Sequence, residues 1–172
     1  MGYTHYWSRK GTVSQKDYEN ALTDIRKIVE AKKSILANGS GDTGTKPEVD
    51  DGVCFNGRGE QSHETFHLPA LIDDLDGDFC KTNRKPYDDV VVACLTVLHN
   101  YCSGITVSSD GDTDEELGGG LKLAQKVLKN PSLVALLKKV PANAAKFIEA
   151  IPKSKSPRVA KPTTKKTSSL QG

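Results

Sequence analysis

Two stretches of the chain carry hydrophobic patterns that predict helices. Apolar residues recur at helical spacing over about 15–37, behind Ser14, which has the character of an N-cap residue. The second stretch, Val90–Cys102, is apolar nearly all round and follows Pro86, a residue that favours the first turn of a helix. We therefore predict an amphipathic first helix and a buried second helix.

Four shorter stretches alternate apolar and polar residues and predict strands. They lie at 3–8, 52–57, 64–68 and 105–108. With the two helices, the order becomes β-α-β-β-α-β, which is the order of ferredoxin-like folds. The predicted fold class is therefore α+β. The arrangement that this order favours is an antiparallel ferredoxin-like sheet with the helices on one face, followed by C-terminal helices.

Composition divides the chain into one domain and a tail. Residues 1–151 are predicted to form a single domain, with a mobile loop at 39–51 and short amphipathic helices over 117–151. The net charge of +2 combines six cations in 153–172 with −4 in the rest of the chain. Residues 152–172 are therefore predicted to be a disordered basic tail that can bind nucleic acid through phosphate contacts.

The compartment is predicted from what the sequence lacks. No apolar run is long enough to span a bilayer, and the N-terminus lacks the pattern of a signal peptide. The four cysteines form no C-x-x-C pair, so no zinc-ribbon or redox motif is present. We expect a cytoplasmic protein with no membrane partner, and the sequence leaves the oligomeric state open.

Two motifs suggest metal binding, and we expect neither to be a metal site. His63–His67 matches H-E-x-x-H, but its context predicts a strand, in which the two histidines would lie about 13 Å apart. Asp110–Asp114 resembles the start of a calcium loop but lacks the glycine and glutamate that the EF-hand requires. The sequence therefore predicts no metal and no cofactor, with a looser cation site at Asp110–Asp114 left as an alternative.

Three cations precede the second helix and suggest an anion site. Lys81, Arg84 and Lys85 lead into its N-terminus, where free N–H groups and the helix dipole attract anions. Phosphate, a carboxylate or a nucleic-acid backbone would fit such a site. The alternative is that Arg84 and Lys85 pair with Asp88 and Asp89 or remain in solvent.

The aromatic residues of the first strand divide between its two faces. One face carries Tyr3, His5 and Trp7, and the other carries Tyr6. An exposed aromatic ring on a sheet can stack a base while basic residues hold its phosphate. Tyr6 and Trp7 are therefore alternative stacking residues, and Asn56 can offer an amide to the edge of a ligand. The alternative for either ring is simple packing under a helix.

Five motifs carry a resemblance to a known family. They are MGYTHYW at 1–7, FNG at 55–57, HETF at 63–66, FCKTNRKPYD at 79–88 and SSDGD at 108–112. In this order they resemble a family of small uncharacterised proteins encoded by tailed bacteriophages and prophages, over about 1–115. The chain departs from that family in its longer C-terminal helical part and its basic tail. The resemblance implies a phage accessory protein in the host cytoplasm and no particular reaction. It also implies that the second histidine of H-E-x-x-H need not be present, which again points away from zinc.

Three functional hypotheses follow from these features. The favoured one is a phage-type accessory protein that binds an anionic ligand, such as a nucleotide or related phosphate compound, without catalysis. Its candidate ligand-binding residues are Tyr6, Trp7, Asn56, Lys81, Arg84 and Lys85. The second is a small enzyme acting on a nucleotide or phosphate substrate. Its candidate acid–base residues are His5, His63, Glu64, Asp88 and Asp110. The third is a nucleic-acid or virion-interaction protein that uses the tail at 153–172.

Overall fold

A computed structural model describes residues 3–111 and 114–128 of the chain. Its strands are β1 Thr4–Arg9, β2 Leu36–Ala37, β3 Val53–Gly57, β4 Phe66–Leu68, β5 Gly77–Lys81 and β6 Ile105–Ser109. Its helices are α1 Gln15–Lys32, α2 Asp88–Tyr101 and α3 Asp114–Leu128. The predictions for the basic tail, and for the helical part beyond α3, lie outside the described residues.

The strands pair in two antiparallel sheets, with the orders β5-β1-β6 and β2-β3-β4. The predicted α+β class is confirmed. The ferredoxin-like arrangement, which would bring the predicted strands into one sheet, is not confirmed. The reason lies in the pairing, because β3 and β4 pair with each other and with β2, whereas β1 pairs with β5 and β6.

The first helix begins as predicted and ends earlier. The Ser14 hydroxyl accepts a hydrogen bond from the Asp17 backbone N–H at 3.1 Å, which is the N-cap arrangement. The helix stops at Lys32 rather than near residue 37. The apolar residues that extended the helical pattern instead form β2, in which buried Leu36 pairs with Gly57 of β3.

Strand β5 was not predicted from the sequence. Its five residues contain glycine, aspartate and lysine, and only Cys80 among them is buried. The strand forms because it pairs with β1, which places Tyr6 opposite Phe79 and Thr4 opposite Lys81. The cation-rich segment that precedes the second helix therefore begins in an edge strand, whose side chains alternate between two faces.

One hydrophobic core joins the two sheets to the helices. The Trp7 ring of β1 lies 5.2 Å from the Phe66 ring of β4, and Phe66 lies 4.9 Å from Phe55 of β3. Helix α2 is buried nearly all round, as predicted, and burial raises the pKa of its Cys94 thiol. Within the described part of the chain, no helix has both the length and the apolar character that a membrane crossing needs.

The glycine-rich segment at 39–51 follows a defined course. The Asn38 side-chain oxygen accepts a hydrogen bond from the Asp42 backbone N–H at 3.0 Å. Glu48 and Cys54 exchange two backbone hydrogen bonds, at 2.9 and 2.8 Å. These contacts attach the segment to β3, and its predicted mobility stays a prediction.

Helix α3 approaches α2 closely through a run of glycines. A Cβ atom at Gly120 would overlap the side chain of Val92 and crowd the backbone of Asp89. A Cβ atom at Gly118, two residues earlier in the same helix, would meet nothing within 4 Å. Gly120 therefore permits the close contact between α2 and α3, whereas Gly118 does not contribute to it.

We expect Gly120→Ala to lower the free energy of unfolding by about 2 kcal/mol, because the added methyl group overpacks the contact between the helices. Gly118→Ala is the matched control, and it should raise the same free energy by about 0.5–1 kcal/mol through helix propensity alone. Urea denaturation followed by circular dichroism measures both. Equal effects from the two substitutions would contradict this account of the helix contact.

Candidate functional site

Strand β1 lies between two other strands and presents two different faces. His5 and Trp7 point toward the helices and are buried, and we call their side the inner face. The opposite side is the outer face, on which Tyr6 is half-buried and Phe79 is 47% exposed. The register gives the outer face these side chains: Thr4, Tyr6, Ser8, Phe79, Lys81, Thr106 and Ser108.

The inner face holds a buried polar cluster. His5 Nε2 lies 2.7 Å from Asp88 Oδ1, and the Thr82 hydroxyl donates to the same carboxylate oxygen. The three side chains come from β1, from the residue after β5 and from the first turn of α2. Because buried polar groups are costly when unpaired, this cluster fixes the position of α2 against the sheet.

We expect Asp88→Ala to lower the free energy of unfolding by about 3 kcal/mol, because it leaves His5 and the Thr82 hydroxyl buried without their partner. Asp73→Ala is the control, since that carboxylate forms an exposed ion pair with Arg9 at 3.0 Å. It should cost less than about 1 kcal/mol. Chemical denaturation measures both variants, and an equally small loss in Asp88→Ala would show that the cluster does not hold the fold.

Tyr3 covers the polar cluster at the end of the sheet. Its ring meets His5 edge-on at 5.2 Å, and the Arg84 guanidinium lies 4.3 Å from its centroid. A Cβ atom at Gly111 would overlap the Tyr3 hydroxyl, so only glycine allows this approach. Burial, together with the nearby Asp88 carboxylate, raises the pKa of Tyr3 to about 12.

The turn between β5 and α2 has an unusual backbone. Asn83 and Arg84 both have positive φ, at 51° and 56°, which costs roughly 1–2 kcal/mol for each residue other than glycine. The Tyr3 carbonyl holds the turn by accepting hydrogen bonds from the N–H groups of Thr82 and Asn83, at 3.0 and 3.2 Å. This conformation places Arg84 beside Tyr3, where it also forms an ion pair with Glu116 of α3.

The three predicted phosphate ligands are in different situations. Arg84 is paired with Glu116, although its side chain remains 61% exposed. The Lys85 ammonium donates to the Glu60 carbonyl at 3.0 Å. Among the described residues, no side chain or carbonyl engages the Lys81 ammonium, so Lys81 is the cation most available to a ligand. Neither Arg84 nor Lys85 pairs with Asp88, because that carboxylate belongs to the inner cluster.

The outer face carries two neighbouring aromatic rings. The Tyr6 and Phe79 rings come from paired positions of β1 and β5, and their centroids lie 6.4 Å apart with a 40° angle between the planes. The Tyr6 hydroxyl donates to Asp110 at 3.3 Å, and the Thr4 N–H donates to the same carboxylate at 2.9 Å. Burial raises the pKa of Tyr6. The arrangement offers ring surface to solvent beside a lysine.

Two residues predicted to bind ligand are structural instead. Trp7 is 1% exposed and belongs to the core, so its ring cannot stack on a ligand. Asn56 is also buried, and its amide nitrogen donates to the carbonyls of Gly39 and His63, each at 3.1 Å. Its oxygen accepts from the N–H groups of Gly57 and His63, at 2.8 and 3.0 Å. The hydrogen-bonding groups of Asn56 are therefore used within the protein.

The first residues of H-E-x-x-H precede β4 and the last two lie within it, so the motif is not on a helix. His63 and His67 are exposed, and Glu64 forms hydrogen bonds with the outer edge of β5. Its carboxylate accepts from the Lys81 backbone N–H at 2.7 Å, and its own N–H donates to the Lys81 carbonyl at 3.2 Å. Among the described residues, no group of three or more histidine, cysteine or acidic side chains could hold a metal ion. The calcium-like motif extends beyond these residues at 112–113.

The five acid–base candidates do not share one cleft. His5 and Asp88 meet, but they are buried on the inner face. Asp110 lies at the opposite face, where it bonds to Tyr6, and Glu64 lies along the edge of β5. The sheet itself separates these groups. The arrangement suits a structural role for His5 and Asp88 and a surface role for Asp110.

Phe79 and Thr82 are the residues of interest that sequence reasoning missed. Phe79 and Lys81 stand two residues apart, so they share a face if 77–81 is a strand. The cations at 81–85 favoured the interpretation of this segment as an anion site, so the alternation was not interpreted as a strand. Nothing local identifies Thr82, because its partner Asp88 becomes its neighbour only when the turn adopts its left-handed conformation.

The chain was compared with protein-family models, curated proteins and solved structures, and none of the three comparisons found a match. The resemblance to phage proteins therefore stays a prediction. The function is inferred from the two faces of β1 and from the charges around them.

Proposed function

We propose that the outer face binds an anionic ligand with a planar ring, of which a nucleotide or related phosphate compound is the best candidate, without catalysing a reaction on it. The single observation that carries the proposal is the exposed Phe79 ring, which lies beside Tyr6 on an open sheet surface. A large exposed aromatic ring favours binding, because it leaves apolar area in water until a ligand covers it.

Stacking would supply the main attraction. Phe79 leaves close to half of its surface in water, and Tyr6 is held in position by the hydrogen bond to Asp110. Stacking a base on such a ring is worth roughly 1–3 kcal/mol and does not depend strongly on which base is bound. The two rings therefore support recognition of a planar base rather than of a bare anion.

Lys81 would supply the charge. It stands two residues from Phe79 on the same face of β5, a separation of about 7 Å along the strand. Its ammonium remains available to a phosphate, whereas Arg84 would first have to leave Glu116. We therefore assign the first phosphate contact to Lys81 and a secondary contact to Arg84.

The positions of the acid–base groups support binding rather than catalysis. His5 and Asp88 are buried behind the sheet, so a ligand on the outer face would not reach them. Asp110 is the acidic group nearest to Tyr6, and it already accepts two hydrogen bonds. In a phage-encoded protein, such a face would sequester a nucleotide of the host cell.

Isothermal titration calorimetry with the four nucleoside triphosphates, the four nucleosides and inorganic tripolyphosphate tests the proposal. Phe79→Ala should weaken nucleotide binding about tenfold, because it removes one stacking surface. Lys81→Ala should weaken the binding of nucleotides but not of nucleosides. Lys16→Ala, on the exposed side of α1, is the charge control and should change neither.

Two outcomes would contradict the proposal. Tripolyphosphate that binds as tightly as the nucleotides, with no effect of Phe79→Ala, would place the anion at Arg84 and Lys85 rather than on the outer face. The absence of binding by every compound would remove small nucleotides as ligands. Circular dichroism of each variant establishes that the fold is unchanged.

A further inference from the structure

We infer that the outer face binds single-stranded nucleic acid, with two consecutive bases stacked on Phe79 and Tyr6. This inference rests on the proposed function and deepens it, because it specifies how many bases the ligand presents.

The geometry provides two stacking positions rather than one. The rings come from adjacent strands at paired positions, their centroids are 6.4 Å apart, and their planes are inclined by 40°. Rings in this relation do not cover each other's faces, so each can receive its own base. Sheet proteins that read single strands use neighbouring strand aromatics in this way, with successive bases spread across the sheet.

The surroundings are too open to enclose a mononucleotide. The side chains next to the rings on the outer face are small: Ser8 of β1, and Thr106 and Ser108 of β6, with Gly77 opposite Ser8. Small-molecule sites normally bury most of their ligand in a concave pocket, whereas a ligand on this surface is covered on one side only. A nucleic-acid strand that contacts both rings and the hydroxyl groups of β6 makes several such one-sided contacts at once. These contacts together compensate for the lack of an enclosing pocket.

The outer face carries little positive charge of its own, and the cations that favour a polyanion lie elsewhere in the chain. Lys81 is the cation beside the rings, and the Glu64 and Asp110 carboxylates lie close to Lys81 and Tyr6, so one phosphate is the most that this surface neutralises directly. The six cations of 153–172 add a sequence-independent attraction to phosphates, which a strand can use and a single nucleotide cannot use to the same degree.

Fluorescence anisotropy with labelled ten-nucleotide strands tests this inference on the full chain. The probes are deoxythymidine, deoxyuridine and uridine strands and a duplex of the same length, with the corresponding monophosphates as competitors. We expect the single strands to bind at least 100-fold more tightly than the monophosphates and more tightly than the duplex. Preference for the uridine strand over a deoxyuridine strand of the same length would identify RNA as the ligand, and the reverse preference would identify DNA.

Substitutions on the outer face provide the decisive comparison. Phe79→Ala and Tyr6→Ala should each weaken binding of the single strand about tenfold. Tyr6→Phe keeps the ring and should change the affinity less than about twofold. Leu71→Ala removes an exposed apolar side chain elsewhere, 55% exposed in the native protein, and should have no effect. A variant with the six tail cations replaced by glutamine should lose most of the salt dependence, keep the part that comes from Lys81, and keep its sensitivity to Phe79→Ala.

The outcomes separate this inference from the proposed function. Single strands that bind no more tightly than monophosphates, with monophosphate binding still weakened by Phe79→Ala, would overturn the inference and leave the proposed function standing. If neither alanine substitution changes single-strand affinity and removal of the tail cations abolishes it, the inference is overturned. Binding would then come from electrostatic attraction to the phosphates alone. Failure of every nucleotide and strand to bind would overturn both.

Discussion

The buried contact between His5 and Asp88 is the interaction on which the rest of the structure depends. It joins the central strand of one sheet to the first turn of the most buried helix, and Thr82 adds the end of β5 to the same carboxylate. With these three elements fixed together, the core closes on the inner side of β1. Because the core lies on this side of β1, the side chains on the opposite side of the same strand face solvent and can carry polar and aromatic groups.

Alternation along β1 divides its residues between folding and surface chemistry. Trp7 is enclosed by the core, while its neighbour Tyr6 stands beside Phe79 at the surface. The strained turn after β5 serves the folding side, since its left-handed residues bring Thr82 to Asp88 and Arg84 to Tyr3. An edge strand with unpaired backbone groups and an exposed phenylalanine can pair with a strand of another chain. The Glu64 carboxylate reduces that tendency because it accepts the hydrogen bond of the Lys81 backbone N–H.

The sequence was a better guide to the helices than to the site. The Ser14 cap and the apolar run of α2 are local signals, and both predicted what the structure contains. Strand β5 depends on β1, a partner distant in sequence, so alternation alone could not reveal it. Alternation also does not show which strands share a sheet, so the separate pairing of β3 with β4 was not predicted. The candidate residues divide in the same way. Tyr6 lies on the solvent-facing side of β1, and Lys81, predicted at the N-terminus of the second helix, lies on β5 instead. Burial removes Trp7 and Asn56 from any ligand, and burial is a property of the folded chain.

Nuclear magnetic resonance of the labelled protein with a nucleotide added detects directly whether a base stacks on the outer face. We expect nuclear Overhauser contacts between base protons and the ring protons of Phe79, with shifts at Tyr6 and Lys81 and none at the buried His5 ring. Contacts or shifts confined to Arg84 and Lys85, with Phe79 unchanged, would contradict it and place the ligand on the turn before α2.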